Sequence, residues 1–175
     1  MGCWRTRSRA RWPASSAPSS PATLHSKFIK GDRAALSAEQ QAGRALFRGK
    51  GNCVACHVGP NFTDERLHNT GIAWRDGRLA DPGAGRGDFK TPTLREIDRT
   101  APYMHDGSLA TLEDVVEYYD CGGNRNPGLD GELHPLHLTP AEKRSIVEFL
   151  GCLNGLVQRY SAGRHYFLGG SSPLL

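Results

Sequence analysis

No stretch of this chain approaches the roughly eighteen consecutive apolar residues of a membrane-spanning helix, so no such helix is expected. Acidic side chains are missing from residues 1–30, which hold Arg5, Arg7, Arg9, Arg11, Lys27 and Lys30. Those 6 bases leave 16 of the 22 Lys and Arg against 18 acids in the remainder, so the net +4 belongs to the start of the chain. A nucleic-acid reader carries its basic stripe on the folded part, so no nucleic-acid partner is expected. The basic start also lacks the apolar run of roughly 7–15 residues that completes a signal peptide, so as written it would not direct export. No segment alternates apolar and polar residues cleanly, so no strand is expected. Methionine is scarce, Met104 being the only one besides Met1.

The 175 residues suit one domain with a core large enough to fold without disulfide staples. Residues 1–27 read as a disordered leader, from the Arg-rich start and the Ser/Pro/Ala run at Pro13–Ala22. Residues 158–175 read as a loose tail, leaving a body of 28–157. Within it, Ser37 with Gln40 forms a capping box ahead of a helix whose apolar positions are Ala42, Ala45, Leu46 and Phe47 and which Gly49 and Gly51 end. Thr111 with Asp114 opens a second helix with Leu112, Val115, Val116 and Tyr119 on its buried side. Thr139, Pro140 and Glu142 open a third, carrying Ile146, Val147, Phe149, Leu150 and Leu153. A short helical turn is expected at Thr93–Ile97. The expected fold class is therefore all-α, a small helical domain with long loops.

Cys53-Val54-Ala55-Cys56-His57 is the chemical centre of the sequence. Two thiols at this spacing can each form a thioether to one vinyl group of a porphyrin, which holds His57 under the iron. From the chain's own Cys and His counts, about 0.006 chance occurrences of the pattern are expected. A zinc-stabilised interaction module is the alternative, but Cys121 and Cys152 make no second Cys-x-x-Cys, and His134 and His137 are too close for the usual zinc pattern. A thioredoxin-like redox pair would need a βαβ setting, which the sequence lacks. One covalent haem c is the reading retained.

Cys53–Pro60 with Asn61-Phe62-Thr63-Asp64, then Leu67-His68-Asn69-Thr70-Gly71, Phe89-Lys90-Thr91-Pro92-Thr93-Leu94-Arg95, and the block Thr100 to Glu113 resemble the bacterial dihaem cytochrome c peroxidase family, including its MauG-like branch. The likeness covers about residues 28–153 and is to the C-terminal haem domain. It implies one-electron transfer by a haem that serves a peroxide-binding haem in a separate N-terminal domain. No second attachment motif occurs in the chain, so it is expected to be a fragment. An N-terminal haem domain or subunit and a small redox donor protein are the implied partners. An active peroxidase would form only with that subunit. Covalent haem is attached outside the cytoplasm, which implies a periplasmic location.

The resemblance also bears on further sites. A plain cytochrome c reading takes Met104 as the sixth iron ligand. The family places its axial residue fourteen after the His of the Tyr-x-His-Asp-Gly block, Met in the peroxidase branch and Tyr in the MauG-like branch; that position here is Tyr119. Tyr119 is preferred, with Met104 as the alternative. The family binds calcium between its domains through backbone carbonyls that correspond to Thr100 and Pro102. Arg95 is a candidate partner for a haem propionate, a surface Arg being the plain alternative. The roles of His68 and His105 are left open.

Overall fold

The structure is a computed structural model that describes residues 23–155; the leader up to residue 22 and the tail from 156 lie outside the described residues. Among the described residues there are four α-helices: α1 (Leu24–Ile29), α2 (Ala38–Arg48), α3 (Leu112–Asp120) and α4 (Pro140–Gly151). Each begins with a reciprocal capping box, in which the N-cap hydroxyl accepts from the third backbone amide and the third side chain returns the bond. The boxes at Ser37, Thr111 and Thr139 are those expected from sequence. The box at Thr23 and Ser26 is not, and it starts α1 upstream of the expected body at Phe28. None of these helices is long and apolar enough to cross a membrane.

The expectation of an all-α fold is corrected. Helix makes up about 35 % and strand 11 % of the structure. β1 (Leu67–His68) pairs antiparallel with β4 (Phe89–Lys90), and β2 (Trp74–Arg75) with β3 (Arg78–Leu79). Strands of two residues are too short to show a period of two, which is why the sequence pattern missed them. The β2–β3 turn did leave a signal: Asp76 and Gly77 both take positive φ, 50° and 75°, the backbone of an Asp-Gly hairpin. The helical turn expected at Thr93–Ile97 forms instead as a 3₁₀ turn at Ile97–Arg99.

The main core gathers Phe47 from α2, Val116 from α3, Ile146, Phe149 and Leu150 from α4, and Phe62, Leu94, Leu138 and Leu153 from the loops. Phe47 meets Phe149 edge-on at 5.3 Å. A second cluster joins Ile72, Tyr103, Leu109 and Tyr118. Because α3 is packed between the two clusters, its fully buried residues are Val116 and Tyr118, while Tyr119 is half-buried.

α2 and α4 cross at Gly43, where an added Cβ would lie 1.7 Å from the Ser145 carbonyl oxygen and 2.9 Å from Phe149 Cβ. The obstruction is backbone, so it cannot rotate away. Gly43→Ala is expected to force the helices apart and lower stability by about 1–3 kcal/mol, the range for overpacked cores, despite its better helix propensity. Urea unfolding of the two proteins checks this, and an unchanged midpoint would contradict the crossing.

Candidate haem-attachment site

α2 ends at Gly49, and the chain turns through Gly51, whose amide donates to the Leu46 carbonyl at 2.8 Å. Asn52 takes a left-handed φ of 50° and leads into a 3₁₀ turn at Cys53–Ala55. The His57 amide then donates to the Cys53 carbonyl at 2.9 Å, which closes the motif into one compact turn. Cys53 and Cys56 are both reduced. Burial pushes the Cys53 thiol up to about 12 and the Cys56 thiol up to about 11, the latter also through the carboxylates of Asp64, Asp130 and Glu132. Both are therefore protonated at neutral pH, unlike the low-pKa thiols of redox pairs.

His57 Nδ1–H donates to the Phe62 carbonyl at 2.9 Å. That bond fixes the tautomer and leaves the Nε2 lone pair for an iron, as outer-sphere partners of ligating histidines do. Burial lowers the His57 pKa, which keeps the ring neutral. Leu46, Val54, Ile97, Leu112, Leu136 and Val147 are half-buried apolar neighbours of the same core, and Cys53 packs among them. Two protonated thiols, a neutral imidazole with one nitrogen spare and an apolar surround fit a covalently held haem.

The two candidate iron donors Tyr119 and Met104 have different surroundings. Burial raises the Tyr119 phenol pKa well above its ordinary value, and Tyr118, Cys53 and Cys56 raise it further, so the phenol lies within the electrostatic reach of both thiols. Met104, at φ 68°, is half-buried and packs with the second cluster. Arg95 stands elsewhere: its guanidinium donates to the Pro60 carbonyl, with Nε at 2.7 Å, and to Thr23 Oγ1 at 3.2 Å, over the Phe62 ring. It ties the loop after His57 to the N-cap of α1. Thr100 and Pro102 are exposed just beyond the 3₁₀ turn at Ile97–Arg99. His105 stacks on Phe89 at 3.8 Å and reaches Asp81 at 3.2 Å.

Sequence reasoning missed the clamp around His68. Its Nε2 meets Asp64 at 2.9 Å and its Nδ1 meets Asp130 at 2.5 Å. The clamp joins β1 to two loops beside the attachment turn. Asp64 and His68 sit four apart outside any helix, and Asp130 is far along the chain, so nothing local announced the triad. Cys56, Asp64 and His68 offer atoms within 4.8 Å of one another, the metal-like grouping found among the described residues. Both ring nitrogens of His68 are already engaged by carboxylates, which leaves no free donor for a cation. His134 and His137, considered for zinc, are exposed and outside that group.

Burial alone would lower His68, but the hydrogen bonds to Asp130 and Asp64 outweigh it and raise the pKa above 6.5. Asp64 and Asp130 lose more from burial than from any other single cause, yet their bonds to His68 and to backbone amides hold both below 3.8. The His68 contribution is full below its unfolded pKa and is lost as pH rises through its raised folded value. The Asp contributions are full above 3.8 and are lost as pH falls through their depressed values. His68→Gln is therefore expected to cost about 1–3 kcal/mol near pH 5–6 and distinctly less at pH 9. Urea titrations at the two pH values check this, and equal losses at both would contradict a charged clamp.

Asn69 anchors the same region. Buried to 3 % exposure, it donates to the Arg86 carbonyl at 2.6 Å and to Asn126 Oδ1 at 3.1 Å, and accepts from the Gly71 amide at 2.8 Å. Gly71 has no room for a Cβ, which would meet the Asn124 carbonyl oxygen at 2.3 Å. The Leu67–Gly71 motif is thus a hydrogen-bonded hub that fixes the loops near Cys56.

No protein-family model matches the chain. Cytochrome-c peroxidase IdrP1 of Denitromonas iodatirespirans is 40 % identical over 163 residues, covering 73 % of this chain and 43 % of that protein. Methylamine utilization protein MauG of Methylorubrum extorquens is 43 % identical over 133 residues, covering 73 % of this chain and 38 % of that protein. A MauG-like protein associated with microbial copper homeostasis superposes with a TM-score of 0.67 at 30 % identity, over 77 % of this chain and 52 % of that one. The chain spans less than half the length of the two curated relatives.

Proposed function

Because this chain belongs, over the region it shares with them, to the bacterial dihaem cytochrome c peroxidase and MauG-like family, we propose that it holds one covalent haem c and transfers electrons singly. The observation that carries the proposal is the attachment turn, with two protonated thiols beside a histidine whose Nδ1 is committed to the Phe62 carbonyl. Bound haem supplies a reversible Fe(III)/Fe(II) couple. Cys53 and Cys56 would tether it, and His57 would offer its free Nε2 to the iron. Tyr119 would supply a further iron donor through its phenol oxygen, with Met104 the alternative. The clamp at His68 and the hub at Asn69 hold the loops around the turn in one arrangement. The apolar side chains of α2, α3 and α4 exclude water.

In this reading the chain acts as the C-terminal half of a dihaem peroxidase-like oxidoreductase. Peroxide chemistry belongs to an N-terminal haem domain or subunit, and a small redox protein supplies electrons in the periplasm. Backbone carbonyls of Thr100 and Pro102 would contribute to a calcium site only where that second domain completes it, since calcium takes six to eight oxygens. Arg95 holds the proximal loop through Pro60, and its remaining N–H groups are available to a propionate. The test is the chain produced with a c-type haem ligation system. It should reduce and reoxidise reversibly by one electron and show negligible peroxide turnover with a reduced cytochrome donor. Turnover at the rate of a two-haem enzyme would overturn this division of roles.

A further inference from the structure

Arg33, Arg44 and Arg48 converge on one face of the chain without any ion pair to a described residue. Arg33 lies in the 3₁₀ turn Arg33–Ala35 that precedes α2, and Arg44 and Arg48 are one helical turn apart on α2. The guanidinium carbons of Arg33 and Arg44 stand 5.0 and 5.6 Å from the same ring, that of the buried Phe28. Burial lowers the Arg44 pKa, and Arg48 and Arg33 lower it further, with no carboxylate acting against them. Like charges at this helical spacing destabilise a helix unless something compensates them.

Two polar atoms beneath this face are buried and unpaired. Arg44 Nε has no hydrogen-bond partner, and neither has Nδ1 of His25, a residue only 9 % exposed. His25 is held edge-on against Phe62 at 5.2 Å and Phe149 at 5.5 Å, in the field of Arg44, Arg95 and Arg48. A buried unpaired N–H commonly costs about 1–3 kcal/mol, and the Arg44 side chain is held at this face with no partner among the described residues for its Nε and none for its charge. Planar guanidinium forks match the oxygens of phosphate and carboxylate in geometry as well as charge.

We propose that Arg33, Arg44 and Arg48, packed around Phe28, form a binding site for an oxyanion of the phosphate or carboxylate class. The anion accepts from the guanidinium groups and relieves their mutual repulsion. The site is linked to the attachment turn through His25, which lies in the field of Arg44 and Arg48 and packs on Phe62, whose carbonyl accepts from His57. It does not rest on the haem reading, because every residue that forms it is placed by α1, α2 and the turn between them.

The test is calorimetric titration of the full chain, as purified, with inorganic phosphate and, separately, with malonate, at ionic strength held constant with sodium chloride. Saturable binding of either is expected, and the tighter of the two identifies the ligand class. Arg44→Gln/Arg48→Gln should weaken it at least tenfold. Arg48→Gln alone, an exposed change that spares the packing on Phe28, should weaken it several-fold if the double variant fails to fold. Lys50→Gln removes a nearby positive charge that is already paired with Glu142 and should leave binding unchanged. No saturable heat with either anion overturns the proposal, as does binding that survives in Arg48→Gln or falls equally in Lys50→Gln.

Discussion

Cys53→Ser/Cys56→Ser is expected to lose all haem on denaturation, whereas the unsubstituted chain keeps one haem mass through the same treatment. The argument rests on the bonds available. Each thiol can make one thioether, and the turn that carries both also brings the His57 amide onto the Cys53 carbonyl at 2.9 Å. Serine preserves the size and polarity of the side chain but cannot form the thioether. Either single variant should keep one haem through its remaining cysteine. His57→Ala should keep the covalent attachment, because the thioethers are untouched, but lose the proximal nitrogen and with it the six-coordinate spectrum. Intact mass after acid denaturation separates these outcomes, and a pyridine haemochrome spectrum counts the remaining thioethers. An unmodified mass for the parent chain, or zinc in its metal analysis, would remove the haem reading. Stability should follow attachment, because a group that binds only the folded chain stabilises it.

Tyr119→Phe is expected to change the ferric spectrum and raise the potential, while Met104→Leu leaves both alone. An anionic phenolate stabilises Fe(III) over Fe(II), so its removal favours the reduced form; a thioether does the reverse. The environment sharpens the contrast. Burial raises the Tyr119 pKa, so in the metal-free chain the phenol stays protonated, and only coordination makes its ionisation favourable. The phenylalanine ring fills nearly the same space, so the packing loss should be small. Met104 packs with Ile72, Tyr103, Leu109 and Tyr118, and leucine is close to it in volume, so Met104→Leu should cost under about 1.5 kcal/mol. If Met104→Leu moves the spectrum and Tyr119→Phe does not, sulfur is the ligand and the MauG-like assignment of Tyr119 fails. Covalent haem at Cys53 and Cys56 would survive that result.

What could be read from the sequence alone is what acts over a few residues. A capping box needs partners three apart, so Ser37 with Gln40, Thr111 with Asp114 and Thr139 with Glu142 declared their helices. The attachment motif is likewise contiguous, five residues whose chemistry does not depend on the rest of the chain. The short strands were not legible, because two residues cannot express a period and the pairing of β1 with β4 is set by the loops between them. Only the tertiary structure decided that the Phe62 carbonyl would turn onto His57, that Asp64, four residues away, and Asp130, 62 residues away, would close on His68 from its two sides, and that Gly43 would touch the backbone of Ser145. Two of these contacts, His68 with Asp130 and Gly43 with Ser145, join distant segments, and the other two are local but lie outside the helices, where spacing carries no periodic signal. Their positions follow from how α2, α3 and α4 pack around the shared core, and packing is a property of the whole chain rather than of any stretch of it.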